Sequence, residues 1–570
     1  MSEEKFTATL MNPVAKVETE EKITPAARMS SLEGKKIALW WNGQSKGNVA
    51  LDIIAERLKE EYRVEAVPFR QGWPHGDDVY ARVAEAGCVG AVAATADCGS
   101  ASAWLARDVC ALEKLGIPTV MLMAKAFFPI CNAEFKLRGL RKASIAVMDH
   151  TLTEMTVKDH PFSVLPSENV KTVAEGCYDA VVAGLTSEDD STDKLVAETR
   201  KFVEEEVADE RITIEGEGYF DFCNNFNRYF VHHGWGDGLP LVAPTEEAVN
   251  RMLGGTKRDR NEVILKMDPG EGLATVEKIA VNCVMAGCEP GCLPVVIGAL
   301  EAMSKENFCL SMVAQSTSAC TPMIFVNGPI AKEIGMTAEG AALGPGKYAA
   351  VNTAIGRAVR LCMMNIGHAY PQLRDMNTIG SPNKYSLCAC ENEDDLPLGQ
   401  PFNVEKGFKP GSNCVTAIPS QSFMDVEDLE SGRPEDLLQT ISATIDAVGW
   451  PGARGWMGYI HPTPMTVTLF MAPDHARLIS KSGWTKQDAK DYMYAKCRRK
   501  LWQIRHLIVP RIEDGTICHA HRWLVNAPDD TLVPMFKEPS YVDIASLGGA
   551  AGKSALSLNV GRPVTIEIKG

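Results

Sequence analysis

The first third of the chain alternates short, continuously apolar runs with stretches of helical length. The apolar runs cover residues 36–41, 64–70, 89–95, 118–123 and 143–149. The helical stretches lie near residues 48–62, 77–87, 102–116, 126–139 and 168–185. Continuous apolar runs are typical of parallel strands that helices cover on both faces. The pattern predicts an α/β domain over residues 35–186, with a doubly wound parallel sheet of the flavodoxin-like kind.

The sequence on either side of this domain lacks its regular alternation of apolar runs and helical stretches. We expect residues 1–34, which show little periodicity, to form an N-terminal arm, and the acidic residues 187–211 to form a linker with a helix. From residue 212 onward, apolar helices lie among loops rich in glycine and proline, and strand-like runs recur up to the C-terminus. This texture predicts a larger α+β domain over residues 212–570, either as one unit or as two subdomains.

Charge and cysteine content narrow the class of protein. With 58 basic and 73 acidic residues the formal net charge is −15, which disfavours binding to the phosphates of nucleic acids. No apolar run reaches the roughly 18 residues that a membrane span needs. The N-terminus lacks an apolar signal core, and 17 cysteines in so large a chain indicate reduced thiols. We therefore expect a cytoplasmic, homo-oligomeric enzyme with a small-molecule substrate.

The segment ATADCGSASAW, residues 94–104, places Cys98 between the third predicted strand and the next helix. Ligands bind at this edge of a parallel sheet, beyond the carboxyl ends of the strands. The partial positive charge of a helix N-terminus favours the thiolate of Cys98, whereas the neighbouring Asp97 opposes it. Two interpretations remain open: a catalytic nucleophile, or a small buried cysteine in a strand-to-helix turn.

A second loop, WWNGQSKGN at residues 40–48, is expected at the same edge of the sheet. There Asn42 and Lys46 offer an amide and a cation to an acidic ligand at a helix start, unless the loop is simply solvated. The sequence GxGxxG is absent, so we expect no NAD site. GGAAGKSAL at residues 548–556 has Leu547 in place of the first glycine of a P-loop, so we expect no ATP site.

These segments resemble the UGSC-type (seleno)protein family, which is named for a selenocysteine- or cysteine-Gly-Ser-Cys segment that follows a strand. The resemblance covers about residues 31–186 and rests on LEGKKIALWWNGQSKGN and ADCGSASAWLARDVCALEKLGIPTVML. It matches Cys98 to the selenocysteine or first cysteine, Gly99 and Ser100 to the Gly-Ser pair, and Trp104 to a flanking position. The resemblance implies a strongly nucleophilic atom at Cys98.

This sequence departs from the family pattern at Ala101, where the family has its second cysteine. No pair of neighbouring thiols can form within the turn. Cys98 is then a lone nucleophile, a metal ligand, or one half of a pair that another domain completes. The second half of the chain, including SPNKYSLCACENED at residues 381–394, is similar to the larger domain that accompanies some family members.

Two groups of residues in that second half point to further chemistry. Cys283, Cys288 and Cys292 have the spacing C-x4-C-x3-C, which suits an iron–sulfur cluster or a soft metal ion, or simply core cysteines. Arg357 and Arg360 are three residues apart on a predicted helix. On one face they would bind a carboxylate, or else pair with acidic neighbours.

The sequence thus predicts a cysteine-dependent enzyme that acts on a small anionic substrate by thiol-based reduction or elimination, such as cleavage of a carbon–sulfur bond. Cys98 would be the nucleophile, with Glu391 as a second catalytic group. The expected substrate-binding residues are Asn42, Lys46, Gly99, Ser100, Trp104, Arg357 and Arg360. One alternative is a metal- or iron–sulfur-dependent lyase or hydratase centred on Cys288. Another is a non-catalytic small-molecule binding or redox-sensing protein.

Overall fold

The computed structural model describes most of the chain, in ten ranges. They are residues 5–18, 20–44, 46–72, 75–148, 166–187, 191–198, 210–448, 465–513, 519–550 and 552–569. The acidic segment expected to be a linker with a helix lies largely outside these ranges. Its described part contains one helix, Ser191–Glu198.

The N-terminal domain is a parallel sheet between helices. The first strands of the chain are β1 (Phe6–Met11), β2 (Lys36–Trp41), β3 (Glu65–Arg70), β4 (Gly90–Ala96), β5 (Thr119–Ala124) and β6 (Ser144–Met148). The helices are α1 (Gly47–Tyr62), α2 (Asp78–Glu85), α3 (Gly99–Lys114), α4 (Phe128–Leu137), α5 (Pro166–Thr186) and α6 (Ser191–Glu198). Strands β2 to β6 pair in the order β3-β2-β4-β5-β6, and every pairing is parallel. The predicted flavodoxin-like α/β fold is confirmed.

The strand order places a topological switch between β2 and β4. The chain leaves β2 towards β3 on one side and leaves β4 towards β5 on the other, so the loops after β2 and β4 separate at the carboxyl edge of the sheet. Ligands of doubly wound sheets bind in the crevice that such a separation creates. All seven residues of β4 are buried, as a strand covered on both faces requires.

Part of the expected N-terminal arm is a strand of the larger region. Strand β1 pairs antiparallel with β7 (Arg211–Gly216), from Phe6 opposite Gly216 to Met11 opposite Arg211. Leu10 and Met11 are buried in the hydrophobic core that residues beyond 212 build. No sequence pattern indicates this pairing, because six residues without a clear period carry too little signal.

The region beyond β7 combines a mixed sheet with helices. Its further strands are β8 (Val263–Met267), β9 (Gly272–Thr275), β10 (Thr321–Asn327), β11 (Cys388–Cys390), β12 (Cys414–Glu427), β13 (Thr466–Met471), β14 (Arg498–Lys500), β15 (Leu532–Pro534), β16 (Val542–Ser546), β17 (Lys553–Asn559) and β18 (Val564–Glu567). Its helices are α7 (Tyr219–His232), α8 (Glu246–Leu253), α9 (Val276–Ala286), α10 (Leu293–Met303), α11 (Leu310–Gln315), α12 (Pro329–Glu333), α13 (Ala350–Asn365), α14 (Phe402–Glu405) and α15 (Pro434–Val448), then Pro473–Lys481, Lys486–Lys496 and Leu501–Glu513. In the order β11-β10-β12-β17-β13-β16, with β18 beside β12, a seven-stranded sheet runs through this part of the described chain.

The two regions pack directly against each other. Helix α3 contacts α11, and Trp104 of α3 is buried in the core of the larger region. In return, Met376 packs against the core of the N-terminal domain. An ion pair between Arg138 and Glu271 joins the two regions as well. Among the residues that the structure describes, no helix has both the length and the apolar character that crossing a membrane requires.

Candidate functional site between the two regions

Cys98 caps the N-terminus of α3, directly beyond the carboxyl end of β4. Its backbone is extended, with φ −147° and ψ 150°, and helix α3 begins at the next residue. The amide and the hydroxyl of Ser102 both donate to the carbonyl of Cys98, which fixes the turn. The side chain is half-buried, and its Sγ lies 3.8 Å from Oγ1 of Thr317 in the larger region. The thiol predicted at the sheet edge therefore faces the second region.

Gly99 lets the larger region approach this turn. A Cβ at this position would lie 1.8 Å from the carbonyl oxygen of Gln315 and 3.2 Å from the Cβ of Met376. The next residue, Ser100, is buried in the first turn of α3. One turn further on, the indole Nε1 of Trp104 donates to Oγ of Ser311 over 3.4 Å. Of these three predicted binding residues, Gly99 and Trp104 lie in the contact between the regions.

Asn42 ties the loop after β2 to the Cys98 turn. Its Nδ2 donates to the carbonyls of Thr95, over 3.0 Å, and Ala101, over 3.3 Å. Its Oδ1 accepts from the amides of Thr95 and Gln44. The amide group is 5 % exposed and fully used by these bonds, so Asn42 positions the turn and offers no group to a ligand. Lys46, which precedes α1, is half-buried with φ 67°.

A large cleft opens between the two regions close to this turn. Its volume is about 1930 Å³, and it is lined by residues 132–141 of the N-terminal domain and by loops of the larger region around 231–237 and 368–385. The described lining includes six basic side chains, Lys16, Lys136, Arg141, Arg360, Arg374 and Lys384, against four acidic ones, Asp193, Glu210, Asp237 and Asp375. The cleft thus has an excess of positive charge in a chain whose net charge is −15.

Two of these cations share one buried carboxylate. Nη2 of Arg360 lies 3.0 Å from Oδ2 of Asp375, and Nζ of Lys384 lies 2.7 Å from both carboxylate oxygens. Arg360 and Asp375 are buried, and Lys384 is half-buried. Burial lowers the pKa of Lys384, and Arg360 adds to this, while Asp375 opposes both. With Lys384 protonated, this triad leaves one net positive charge at the wall of the cleft.

A short segment, 375–378, separates this cleft from Cys98. Asp375, Asn377 and Thr378 line the cleft, whereas Met376 points towards Gly99. The amide of Thr378 donates to the carbonyl of Thr317 over 3.0 Å, and the side-chain amide of Asn377 donates to the carbonyl of Ser318. The cleft wall and the thiol therefore contact the same loop, which follows α11.

Arg357 does not join Arg360 in the cleft, although the sequence predicted a shared face. Its guanidinium donates to both carboxylate oxygens of Asp237, over 2.7 and 2.9 Å. It also donates to the carbonyls of Leu239 and Pro240. These bonds occupy Arg357 in holding the loop after α7, and the residue does not line the cleft.

The predicted metal ligands Cys283, Cys288 and Cys292 come together as a chain of hydrogen-bonded thiols in the core. The pKa of all three thiols is raised, that of Cys283 by burial against its bond to Cys288, and those of Cys288 and Cys292 by the bond to the preceding cysteine together with burial. A raised pKa favours the protonated form, which does not bind metal. Within the described ranges, no group of three or more histidine, cysteine, aspartate or glutamate side chains is arranged to hold a metal ion. The structure gives the metal hypothesis no support, because the sulfurs pack against one another and do not surround a centre.

Glu391 directly follows strand β11 of the larger region and does not line the cleft. Its carboxylate accepts from the amides of Phe402, over 2.6 Å, and Ser546, over 3.0 Å, and from Nδ2 of Asn327, over 2.6 Å. Burial raises its pKa, although these three bonds oppose the rise. Glu391 joins the ends of neighbouring strands, so the geometry gives it an architectural task in place of the predicted catalytic one.

Sequence reasoning missed Asp375, Lys384 and the loop that contains Thr317. Asp375 and Lys384 are nine residues apart in a loop without regular period, so no helical or strand pattern brings them together. The single available signal was the presence of Lys384 in the segment SPNKYSLCACENED. Thr317 and its neighbours form a small, polar stretch of the kind that any surface loop has.

Comparison with known proteins identifies the N-terminal domain alone. Residues 9–187 match the model of the UGSC family, and the match ends before β7. No curated protein matches the chain, and no solved structure matches it. The match starts within β1 and contains β2 to β6 together with the Cys98 turn. Residues 9–187 of this chain are therefore similar to the UGSC family, and Cys98 lies at the switch point of the sheet within this match, with a larger region packed over it.

Proposed function

We propose that this protein is a cysteine-dependent enzyme that acts on a small anionic organic substrate by thiol-based reduction or elimination. The observation that carries the proposal is the position of Cys98: half-buried, at the carboxyl edge of a doubly wound sheet, and faced by a second region. Of the cysteines in the described ranges, three are not buried: Cys98, Cys223 and Cys309. Of these, Cys98 alone stands at the start of the helix that follows β4.

The charge of the cleft supports an anionic substrate. The Arg360–Asp375–Lys384 triad offers a cationic group to a carboxylate, sulfonate or phosphate, and Arg374 lines the same cleft. A substrate held there lies on the other face of the 375–378 segment from Cys98. Movement of this segment would bring the reacting group to the thiol, and it would break the bonds of Thr378 and Asn377 to the loop after α11.

The roles then divide between chemistry and positioning. Cys98 attacks the electrophilic atom of the substrate as a thiolate, and the leaving group departs with the bonding electron pair. Asn42 and Gly99 are positioning residues, the first by holding the turn and the second by admitting the carbonyl of Gln315. The N-terminus of α3 stabilises negative charge on the sulfur.

The test is the reactivity of Cys98 in the intact protein. Iodoacetamide should alkylate Cys98 faster than Cys223 or Cys309, as peptide mapping by mass spectrometry measures. Small anions that raise the melting temperature should slow the alkylation of Cys98 and not that of the other two. Cys223→Ser serves as the matched control, because it removes another half-buried thiol remote from the turn. A Cys98 that stays unmodified while Cys223 and Cys309 react would overturn the proposal.

A further inference from the structure

A second thiol lies in the loop that contacts Cys98. The loop runs from Ser316 to Cys320, between α11 and β10. It is folded tightly, because the amide of Ser318 bonds to Oγ of Ser316 over 3.0 Å and the amide of Cys320 bonds to the carbonyl of Ser318 over 2.8 Å. The thiol of Cys320 hydrogen-bonds to the side chain of Ser316.

Neighbouring residues of this loop therefore contact the two sulfurs. Ser316 bonds to Cys320, and Thr317 lies 3.8 Å from the Sγ of Cys98. Gln315, one residue earlier, presses its carbonyl against Gly99. Cys320 is 2 % exposed, so a substrate in solution has no direct access to its thiol. The larger region thus supplies a protected sulfur in the same loop that contacts the accessible sulfur of Cys98.

We propose that Cys320 is the resolving thiol of Cys98, and that the substrate is a small anionic disulfide. This inference rests on the proposed function and selects its reductive branch. Ala101 carries no sulfur within the Cys98 turn itself, so the second thiol of a reductive cycle has to come from elsewhere in the chain. Cys320 meets that need from the opposite side of the contact between the regions.

The reaction balances as two thiol–disulfide exchanges. The thiolate of Cys98 attacks one sulfur of the substrate RSSR′, forms a mixed disulfide with RS and releases R′S⁻. The thiolate of Cys320 then attacks the Sγ of Cys98, forms the Cys98–Cys320 disulfide and releases RS⁻. Two electrons and two protons pass from the protein thiols to the substrate, which leaves as two thiols. A small dithiol in solution reduces the protein disulfide and closes the cycle.

The surroundings of Cys320 keep its thiol protonated before the first exchange. Burial raises the pKa of Cys320 to about 11, and Asp375 and, least of all, Cys98 add to the rise, while Ser316 and Lys384 oppose it. Cys320 therefore rests as a protonated thiol while Cys98 is free. Conversion of Cys98 into a mixed disulfide removes the charge of Cys98, and with it the small rise that this charge adds to the pKa of Cys320. Lys384 lowers the pKa of Cys320 by its charge and also lines the cleft that would hold the anion.

The experiment uses 5,5′-dithiobis(2-nitrobenzoate), a dianionic aryl disulfide whose released thiolate is coloured. The parent protein for this test carries Cys223→Ser and Cys309→Ser, which remove the other half-buried thiols of the described ranges. The amount of coloured thiolate released is compared with that from the same protein carrying Cys98→Ser. The difference excludes the thiolate released by all other cysteines. The parent should release two thiolates for each Cys98, keep no adduct, and yield a Cys98–Cys320 disulfide on peptide mapping.

Replacement of Cys320 should stop the reaction halfway. Cys320→Ser, and Cys320→Ala as a second variant in case serine disturbs folding, should release half as much thiolate and keep the adduct on Cys98. Cys414→Ser removes a buried cysteine of neighbouring strand β12 and should react as the parent does.

The outcomes separate this inference from the proposed function. If the parent keeps a stable adduct on Cys98, or joins Cys98 to a different cysteine, the role of Cys320 is wrong while Cys98 remains the nucleophile. If the probe leaves Cys98 unmodified, the proposed function and this inference both fail. The peptide map of the parent alone decides between these results, whether or not the variants fold.

Discussion

The carbonyl oxygen of Gln315 lies against the Cα of Gly99, so close that a Cβ there would be 1.8 Å away. Such a distance is far below van der Waals contact, and the clashing atom belongs to the main chain, which has little freedom to move. Position 99 must therefore be glycine for α11 to approach α3 in this way. The glycine next to the proposed nucleophile serves the contact between the two regions.

Gly99→Ala should loosen this contact. The added methyl group forces apart two packed backbones, at a cost of about 1–3 kcal/mol in the free energy of unfolding. Thermal unfolding should show a lower melting temperature, and iodoacetamide should reach Cys98 faster. The control is Gly176→Ala in α5, where a new Cβ meets nothing within 4 Å. There alanine should be neutral or stabilise by up to about 1 kcal/mol. Equal melting temperatures for the two variants would contradict this account.

Lys384→Met should weaken the binding of small anions. Without the ammonium group, Arg360 and Asp375 neutralise each other and the triad has no net charge. A charge-assisted bond contributes about 1.5–3 kcal/mol, so affinity for citrate should fall at least about tenfold. The shift of the melting temperature with citrate concentration measures this. Lys332→Met is the matched control, because Lys332 pairs with the exposed Asp394 and does not line the cleft. A citrate response that survives in Lys384→Met would show that the anion binds elsewhere.

His368 should make the protein less stable in mild acid. Burial and the charge of Arg374 lower its pKa to about 3, despite a bond of 3.2 Å between Nε2 and the carbonyl of Ala15. Between the unfolded pKa of about 6.5 and pH 3, the unfolded chain takes up a proton that the folded chain does not. The free energy of unfolding therefore falls by up to about 1.4 kcal/mol per pH unit as the pH decreases through this window.

Replacing this histidine should flatten the acid limb of the stability curve. Asparagine is the suitable substitute, since His368 has φ 51° and asparagine tolerates that conformation. Urea unfolding at pH 7 and pH 5 should show a smaller loss of stability in His368→Asn than in the wild type. His232→Asn, which removes an exposed histidine, should keep the wild-type difference. An unchanged slope in His368→Asn would assign the acid response to other groups.

Asn42→Asp should disturb the Cys98 turn with almost no change of shape. A carboxylate cannot donate to the carbonyls of Thr95 and Ala101, and it repels both oxygens. Each lost buried bond costs about 1–3 kcal/mol, so the melting temperature should fall. The alkylation rate of Cys98 should change as well, because Asn42 holds the turn on which that residue lies. A stability loss with an unaltered alkylation rate would show that Asn42 does not position the thiol.

The sequence predicted the fold best in the region where apolar runs and helical stretches alternate regularly. The continuous apolar runs of β2 to β6 predicted a parallel sheet, because only strands covered on both faces are apolar throughout. The same pattern put Cys98 and Asn42 at one edge of that sheet, where the structure has them. It said nothing about the partners of these groups, so Asn42 was expected to face a ligand although its amide is used by the main chain.

The site residues of the larger region were harder to predict from the sequence, because tertiary contacts between distant loops bring them together. Arg357 and Arg360 are indeed neighbours on α13, but side chains three positions apart diverge by about 60° and meet different loops. One reaches Asp237 and the other Asp375. The three clustered cysteines show the same limit: their spacing predicted proximity, but not that they would bond to one another within the core.

The pairing of β1 with β7 has a consequence for how the chain is made. On the ribosome, Phe6–Met11 emerge before their partner Arg211–Gly216, which appears only after the whole parallel sheet of the N-terminal domain has been synthesised. Until then the backbone N–H and C=O groups of β1 have no strand to pair with, and unpaired strands tend to associate with other chains. Because both ends of the N-terminal domain lead into one two-stranded ribbon, translation must finish that domain before the ribbon can close.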